Sequence, residues 1–328
     1  MLRIHFTGDD LLRLRLVPEP DPFWEVASSL VRLQTRQDEP VLGTWRRSTL
    51  AGLRAREPLR RSGAMLTALV RNVAYFPDFL TPPVGGGWDE GVDTVLATPC
   101  RRLRQEMEQL AAVTAMPGWT EALGRGAPAT MTWLGRSLHG YRDTALAPVW
   151  PTVLSRVAAD VALRTRLLLA GGSESLLDSL RPLAVWRPPV LEVGYPVDRD
   201  LHLEGRGLDL VPSFFCHRVP ISLADCALKP VLIYPVDRQG TDLALADGAA
   251  SGPLERLIGP TRAAIVAHLS AGGCRTTTET ATAIAVSVPT ASQQLALLRD
   301  AGLVLSRRDG KYVLHRLSPL GRRLAPPA

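Results

Sequence analysis

A run of small polar side chains between residues 287 and 299 contains the residue types that contact base pairs in a duplex. A glutamine can bond an adenine edge bidentately, hydroxyls can reach bases or phosphates, and a valine can contact a thymine methyl group. Ala291, Leu295 and Leu298 repeat at i, i+4 and i+7, which predicts one apolar face of a helix. The side chains away from that face are the candidate DNA contacts, namely Val288, Thr290, Ser292, Gln293, Gln294 and Arg299.

Two helices are predicted in this region. Thr276 and Glu279 have the spacing of a capping box, so a first helix begins there. Its amino end makes Thr276 and Thr278 candidates for holding a phosphate, together with backbone N–H groups. Ser287 is a good N-cap for a second helix, which we expect to run from Val288 to about Ala301 and to end at Gly302.

Two strand-like runs follow the second helix, residues 303–308 and 311–317. Asp309-Gly310 between them is a strong signal for a hairpin turn. Arg307, Arg308 and Lys311 flank this tip, where a wing meets the minor groove or its phosphates. Helix, turn, helix and hairpin together predict a winged helix-turn-helix. The alternative is a winged helix that serves only protein contacts.

Charge separates this region from the rest of the chain. The chain carries a net charge of +6, and residues 254–328 alone hold ten Arg/Lys and four Asp/Glu. The preceding 253 residues are therefore neutral overall. A basic excess confined to the winged-helix segment fits a phosphate-binding surface.

Residues 287–304 resemble the recognition helix of ArsR-type regulators, whose pattern is Ser-x-Pro-Thr-x-Ser-x-His-Leu-x-x-Leu-x-x-Ala-Gly-Leu-Val followed by a hairpin wing. The resemblance spans roughly residues 254–321. Gln294 replaces the usual His of the pattern, which weakens a backbone contact expected there. The Cys-x-Cys motif of the metal-sensing members is missing, since residues 276–290 contain no Cys. The resemblance implies a transcriptional regulator, and it favours repression over activation.

A second resemblance concerns the longer layout. An extended N-terminal domain ahead of the winged helix is similar to an actinobacterial group of ArsR-like regulators whose N-terminal domain has no assigned function. The features that carry this resemblance are residues 20–25, 205–208 with 211–213, and 233–235. It implies an architecture but no ligand.

At 328 residues the chain is long enough for two units. We expect an α+β protein with a mostly helical N-terminal domain, residues 1–250, and a winged helix-turn-helix, residues 251–328. The first 18 residues suit either a strand or the start of a helix, and Asp21-Pro22 begins a helix to about Gln37. Further helical patterns lie near 44–56, 62–73, 88–97, 99–115, 130–146 and 148–170, and residues 184–236 are strand-rich, which predicts a small antiparallel sheet.

Several other kinds of protein are disfavoured. No apolar run approaches a membrane helix and no signal peptide is visible, so a cytoplasmic protein without membrane contacts is expected. His202, Cys216, His217 and Cys226 contain no tight Cys-x-x-Cys pair, so no metal site is expected, although zinc can be imagined there. No catalytic motif or cofactor fingerprint occurs, which predicts that the chain is not an enzyme.

All seven Trp precede residue 187. Ordinary core packing is the first explanation, and a pocket for a small-molecule effector in the N-terminal domain is the alternative. The sequence thus predicts a homodimeric repressor that binds an inverted repeat in double-stranded DNA. The competing hypothesis is a ligand-binding module or enzyme that uses the winged helix for protein assembly.

Overall fold

The computed structural model describes residues 1–35, 39–72, 75–225, 227–238, 253–270, 274–284, 286–309 and 312–324. The chain forms two compact units, which we call unit 1 (residues 1–245) and unit 2 (residues 246–328). The elements of unit 1 are, in order, β1 (Leu2–His5), α1 (Gly8–Leu12), β2 (Arg15–Leu16), α2 (Pro22–Gln34), α3 (Glu39–Arg54), α4 (Glu57–Leu69), α5 (Trp88–Leu96), α6 (Cys100–Val113), α7 (Trp119–Gly124), α8 (Pro128–Tyr141), α9 (Trp150–Asp178), β3 (Ala184–Arg187), β4 (Val190–Val193), β5 (Arg199–His202), β6 (Asp209–Ser213) and β7 (Val231–Pro235).

The helices of unit 1 follow local signals in the sequence. Asp21 caps α2, because its carboxylate accepts hydrogen bonds from the backbone N–H groups of Phe23 and Trp24 at 3.0 and 3.1 Å. Helix α2 ends at Gln34, three residues earlier than expected, and Gln37 lies outside the described residues. The other expected helices are present with shifted ends, and α7 was not expected. The α+β class is confirmed.

The described residues of unit 1 form two sheets, so the expectation of one small antiparallel sheet needs correction. The first sheet has the order β3-β4-β1-β5, in which β1 is antiparallel to β4 and parallel to β5. The second has the order β2-β6-β7, and all its strands are parallel. The reason lies in residues 1–18, which form a strand, a helix and a second strand, and each of these strands joins a different sheet. β5 and β6 also belong to different sheets, so the turn at 205–207 between them connects the two sheets.

The core of unit 1 lies between its helices and the sheets. Leu2, Ile4, Trp45, Tyr141 and Phe215 are among its buried side chains. Two polar groups within it are paired: the Trp45 indole N–H donates to the Ala145 carbonyl at 2.7 Å, and the Tyr141 and Ser29 hydroxyls share a hydrogen bond. These two hydrogen bonds give the buried indole and hydroxyl groups the partners that buried polar groups need.

One stretch of unit 1, Pro128–Asp178, is helical and apolar enough to span a membrane by length and composition alone. Its backbone departs from helical geometry at Gly171 and Gly172. Leu134 and Leu138 of α8 and Val153 of α9 are buried in the core of unit 1. These side chains attach the stretch to the core of unit 1, while 22% of its apolar window is buried.

Unit 2 contains the expected helices and hairpin. Its elements are α10 (Pro253–Ile258), α11 (Pro260–Ser270), β8 (Arg275–Thr276), α12 (Thr277–Ala283), α13 (Val288–Asp300), β9 (Val304–Asp309), β10 (Tyr312–Leu317) and α14 (Pro319–Leu324). The sheet order is β8-β10-β9, antiparallel throughout. A small core of aliphatic side chains, formed by Ile265, Val266, Leu269, Leu295, Leu298, Leu303, Val304 and Leu317, holds α11, α13 and the hairpin together.

Candidate nucleic-acid interface

Helix α13 is fixed to unit 2 by the face predicted from its sequence. Ala291, Leu295 and Leu298 are no more than 2% exposed. Gly302 ends the helix with φ 73°, a left-handed conformation that favours glycine, and the next N–H, of Leu303, donates to the Leu298 carbonyl. The axes of α12 and α13 meet at 108°, within the range of helix-turn-helix pairs.

The first turns of α13 present different chemical groups to solvent. Val288 is 45% exposed, and Ser292 and Gln293 are exposed as well. Thr290 is only half-exposed, and its hydroxyl is 2.7 Å from the Ser287 Oγ. The Ser287 Oγ also accepts the Thr290 N–H, so the hydroxyl of Thr290 is engaged in the helix cap. Gln294 is half-buried beside this face.

Arg299 lies apart from the other candidates on this helix. It is eleven positions beyond Val288, about 16 Å along the axis at the helical rise. Its guanidinium donates twice to the Asp300 carboxylate, at 3.1 and 3.2 Å, and both side chains are exposed. The structure therefore groups Val288, Ser292 and Gln293 at one end and places Arg299 at the other.

The amino end of α12 is capped by side chains of the same segment. Thr276 and Glu279 form the expected capping box: the Glu279 N–H donates to the Thr276 Oγ1, and the Thr276 N–H donates to the Glu279 carboxylate at 2.8 Å. Hydrogen bonds from the Thr276 backbone and side chain lower the pKa of Glu279. Two of the N–H groups expected to hold phosphate are thus used internally, and the side chains of Thr278 and Glu279 are exposed at this end.

The hairpin carries Arg307 and Arg308 on β9, both exposed. They pair in register with Leu314 and Val313 of β10. Because successive strand residues point to opposite faces, the two guanidinium groups leave opposite faces of the wing. Lys311 and the Gly310 of the turn lie outside the described residues.

His315 was missed by the sequence reasoning, although it occupies an inward register position in β10 two residues before the buried Leu317. It is 6% exposed, and its two ring nitrogens lie 2.9 Å from the Thr277 Oγ1 and 2.8 Å from the Ser306 Oγ. Burial, and secondarily the charge of Arg299, lower the pKa of His315. A neutral imidazole therefore ties the start of α12 to both strands of the wing.

Unit 1 offers little for metal chemistry in its described part. Cys216 is buried, and burial raises the pKa of its thiol to about 12. His202 stacks on His5 with ring centres 4.3 Å apart, and Cys226 lies outside the described residues. Within the ranges described above, no group of three or more His, Cys, Asp and Glu residues is arranged to hold a metal ion.

Helices α12 and α13 with the β9–β10 hairpin define the class of unit 2, a winged helix-turn-helix domain. A family model described as a helix-turn-helix domain matches residues 257–307. The arsenical resistance operon repressor of Escherichia coli (strain K12) is 48% identical over 59 residues, which make up 18% of this chain and 50% of that protein. The chain thus spans about half the length of this curated relative. No solved structure matches the chain.

The resemblance to ArsR-type regulators is confirmed for the helix-turn-helix region of this domain. The likeness covers unit 2, and unit 1 has no counterpart in it.

Proposed function

We propose that this chain is a DNA-binding transcriptional regulator whose unit 2 binds a specific duplex sequence. The observation that carries the proposal is the exposed group of Val288, Ser292 and Gln293 on a helix whose opposite face is locked into the domain core. The first residues of a recognition helix meet base edges in the major groove, and these side chains suit that role. Thr276, Thr278, Thr290, Gln294, Arg299, Arg307, Arg308 and Lys311 complete the proposed contact set.

The regulator acts in this proposal as a homodimer on an inverted repeat. Two recognition helices about 34 Å apart meet successive major grooves on one side of the duplex, so two-fold symmetry in the protein matches two-fold symmetry in the operator. Unit 1 supplies dimerisation, effector sensing, or both. The curated relative is named a repressor, and occlusion of a promoter in the cytoplasm is the corresponding mechanism here.

Regulation without a metal ion is part of the proposal. The segment 276–290 has no Cys, and unit 1 is far larger than a dimer contact requires. An effector that binds the DNA-free dimer more tightly shifts DNA occupancy by its difference in affinity, and about 1.4 kcal/mol changes it tenfold. No catalytic step is assigned to the chain.

The test is salt-dependent binding to DNA selected from a random library, followed by fluorescence anisotropy of a labelled duplex. We expect a linear decline of log affinity with log salt concentration, because each neutralised phosphate contributes about 0.9 to the slope. Arg307→Gln and Arg308→Gln, made singly, should show which face of the wing meets the DNA. The variant on that face reduces the slope by about one unit, and its neighbour leaves it nearly unchanged.

A matched control is Arg60→Gln with Arg61→Gln, which removes two exposed charges from unit 1. This control should keep the wild-type slope. The absence of any enriched sequence, or a slope that neither wing variant alters, would contradict the proposed interface.

A further inference from the structure

A cavity of about 560 Å³ lies within unit 1, between α2 and the segments that follow α4, β4 and β6. We call it the α2 cavity. Its volume is typical of sites that hold a small organic molecule. Its lining includes the apolar side chains of Val31, Phe76, Phe215, Pro220 and Ile221. Such a lining fits a hydrophobic body.

The charged side chains of the α2 cavity are mostly positive. Among its described lining residues are Arg32, Arg71, Arg199 and Arg218, together with one carboxylate, that of Asp78. Asp78 already accepts the N–H groups of Ala224 and Asp225, at 3.2 and 2.7 Å. The backbone thus holds the Asp78 carboxylate in place, and the lining carries four guanidinium groups for one carboxylate. The cavity therefore favours an anion.

Two buried hydroxyls in the same lining have no hydrogen-bond partner within the described part of the chain. They belong to Ser28, which is 3% exposed, and to Tyr75. A buried hydroxyl without a hydrogen-bond partner lowers the stability of the folded protein, and an acceptor beside it would remove this cost. Burial, with the nearby charges of Glu106 and Asp78, raises the pKa of Tyr75, which keeps its hydroxyl protonated as a donor. Both hydroxyl oxygens are shielded from solvent, so they belong to the wall of the cavity and not to its accessible surface.

A second cavity in unit 1 provides the comparison. It has a volume of about 580 Å³ and is lined by Glu19, Asp21, Trp88, Arg142 and Trp150, among others. Its acidic groups outnumber its one arginine, and Arg142 lies over the Trp88 ring. Size alone does not distinguish the two cavities, whereas the sign of their charge does.

We propose that the α2 cavity binds a small organic anion, a carboxylate or similar acid carried on a hydrophobic body. The acid group lies against Arg71 and Arg218, while the body packs on the apolar side chains of the lining. The use of this ligand as an effector rests on the proposed function. Binding itself does not, because it concerns unit 1 alone.

The test uses a matched pair of fluorescent probes on the full chain. 1-Anilinonaphthalene-8-sulfonate carries an acid group, and N-phenyl-1-naphthylamine has the same rings without it. We expect Arg71→Gln with Arg218→Gln to weaken binding of the sulfonate about tenfold or more, because charge-assisted hydrogen bonds are lost. The neutral probe should bind this variant as it binds the wild type. Arg142→Gln, in the second cavity, is the control and should change neither affinity.

Thermal melts of the same variants separate binding from folding. We expect Arg71→Gln with Arg218→Gln to weaken sulfonate binding while the melting temperature stays close to that of the wild type, because Arg218 is exposed and Arg71 is only half-buried. Equal binding of the two probes, or an Arg142→Gln effect as large as that of the α2 variants, would overturn the proposal. A protein that binds the sulfonate in this way but no DNA would keep this inference and contradict only the proposed function.

Discussion

At the level of single residues, the candidate contacts of α13 differ in how far they were predictable. Helical periodicity places Val288, Ser292 and Gln293 away from the buried face, and they are exposed. The same periodicity also predicts that the Thr290 side chain points outward, yet its hydroxyl forms a hydrogen bond with the Ser287 hydroxyl. Threonine close to an N-cap can bond locally or outward, and the choice depends on a rotamer that spacing does not specify.

Gln293→Ala is the residue-level prediction. If Gln293 bonds a base edge bidentately, its loss should reduce discrimination between the selected and a random duplex by about 1–3 kcal/mol. The affinity for the random duplex should stay nearly unchanged. Gln294→Ala is the matched control: a backbone contact there would lower affinity for both duplexes equally. The measurement is competition anisotropy at fixed salt. Equal losses for Gln293→Ala on both duplexes would assign Gln293 to phosphate or packing.

At the level of elements, the caps and the hairpin were predictable because their signals are local. Thr276 with Glu279, Ser287 and Gly302 begin and end helices as expected. How the wing is held was not predictable. His315 contacts Thr277 and Ser306, which are 38 and 9 residues away, and only the tertiary fold brings the three together.

His315 should make unit 2 sensitive to acid. Its pKa is lowered in the folded state, so as the pH falls below about 6.5 the unfolded chain takes up a proton that the folded domain resists. The free energy of unfolding should therefore be constant above this pH and decline below it. Scanning calorimetry of the full chain at pH 7.5 and 5.5 measures the shift. His315→Gln should remove this share of the pH dependence.

The control for this experiment is His139→Gln, in unit 1, where His139 accepts a hydrogen bond from the Trp88 indole. It should leave the acid shift of the unit 2 transition unchanged. If His315→Gln and the wild type lose stability in parallel, another group is responsible.

At the level of the whole molecule, contacts between residues far apart in the chain could not be predicted from the sequence. Glu25 on α2 is fully buried and accepts hydrogen bonds from the Phe214 and Phe215 N–H groups and from the Ser213 hydroxyl. Its helical position predicts neither burial nor partners almost 190 residues away. Burial outweighs these bonds and, with the charge of Asp21, raises the pKa of Glu25 to about 7.

Unit 1 should consequently lose stability as the pH rises from about 4.5 to about 7. In that range the unfolded chain releases a proton that folded Glu25 retains, and above it both states are ionised. Asp21, with a pKa raised to about 6 by burial, acts in the same direction. Because every Trp lies in unit 1, urea unfolding followed by Trp fluorescence at pH 5 and 8 reports on it.

Glu25→Gln should remove the Glu25 share of this pH dependence. It should also destabilise unit 1 by about 1–3 kcal/mol, since the amide nitrogen faces backbone donors. Glu90→Gln, at an exposed position of α5, is the control and should match the wild type. An unaltered difference between pH 5 and 8 in Glu25→Gln would exclude Glu25 as its source.

The central place of β1 in its sheet bears on how the protein is made. Leu2–His5 pairs on one side with Val190–Val193 and on the other with Arg199–His202. Neither partner exists until the ribosome has added almost 200 residues, roughly 10–40 s after β1 at ordinary translation speeds. Throughout that interval the apolar side chains of Leu2 and Ile4 lack the strands that bury them. Unit 1 therefore completes its fold late in synthesis, and a nascent chain released before residue 202 cannot close this sheet.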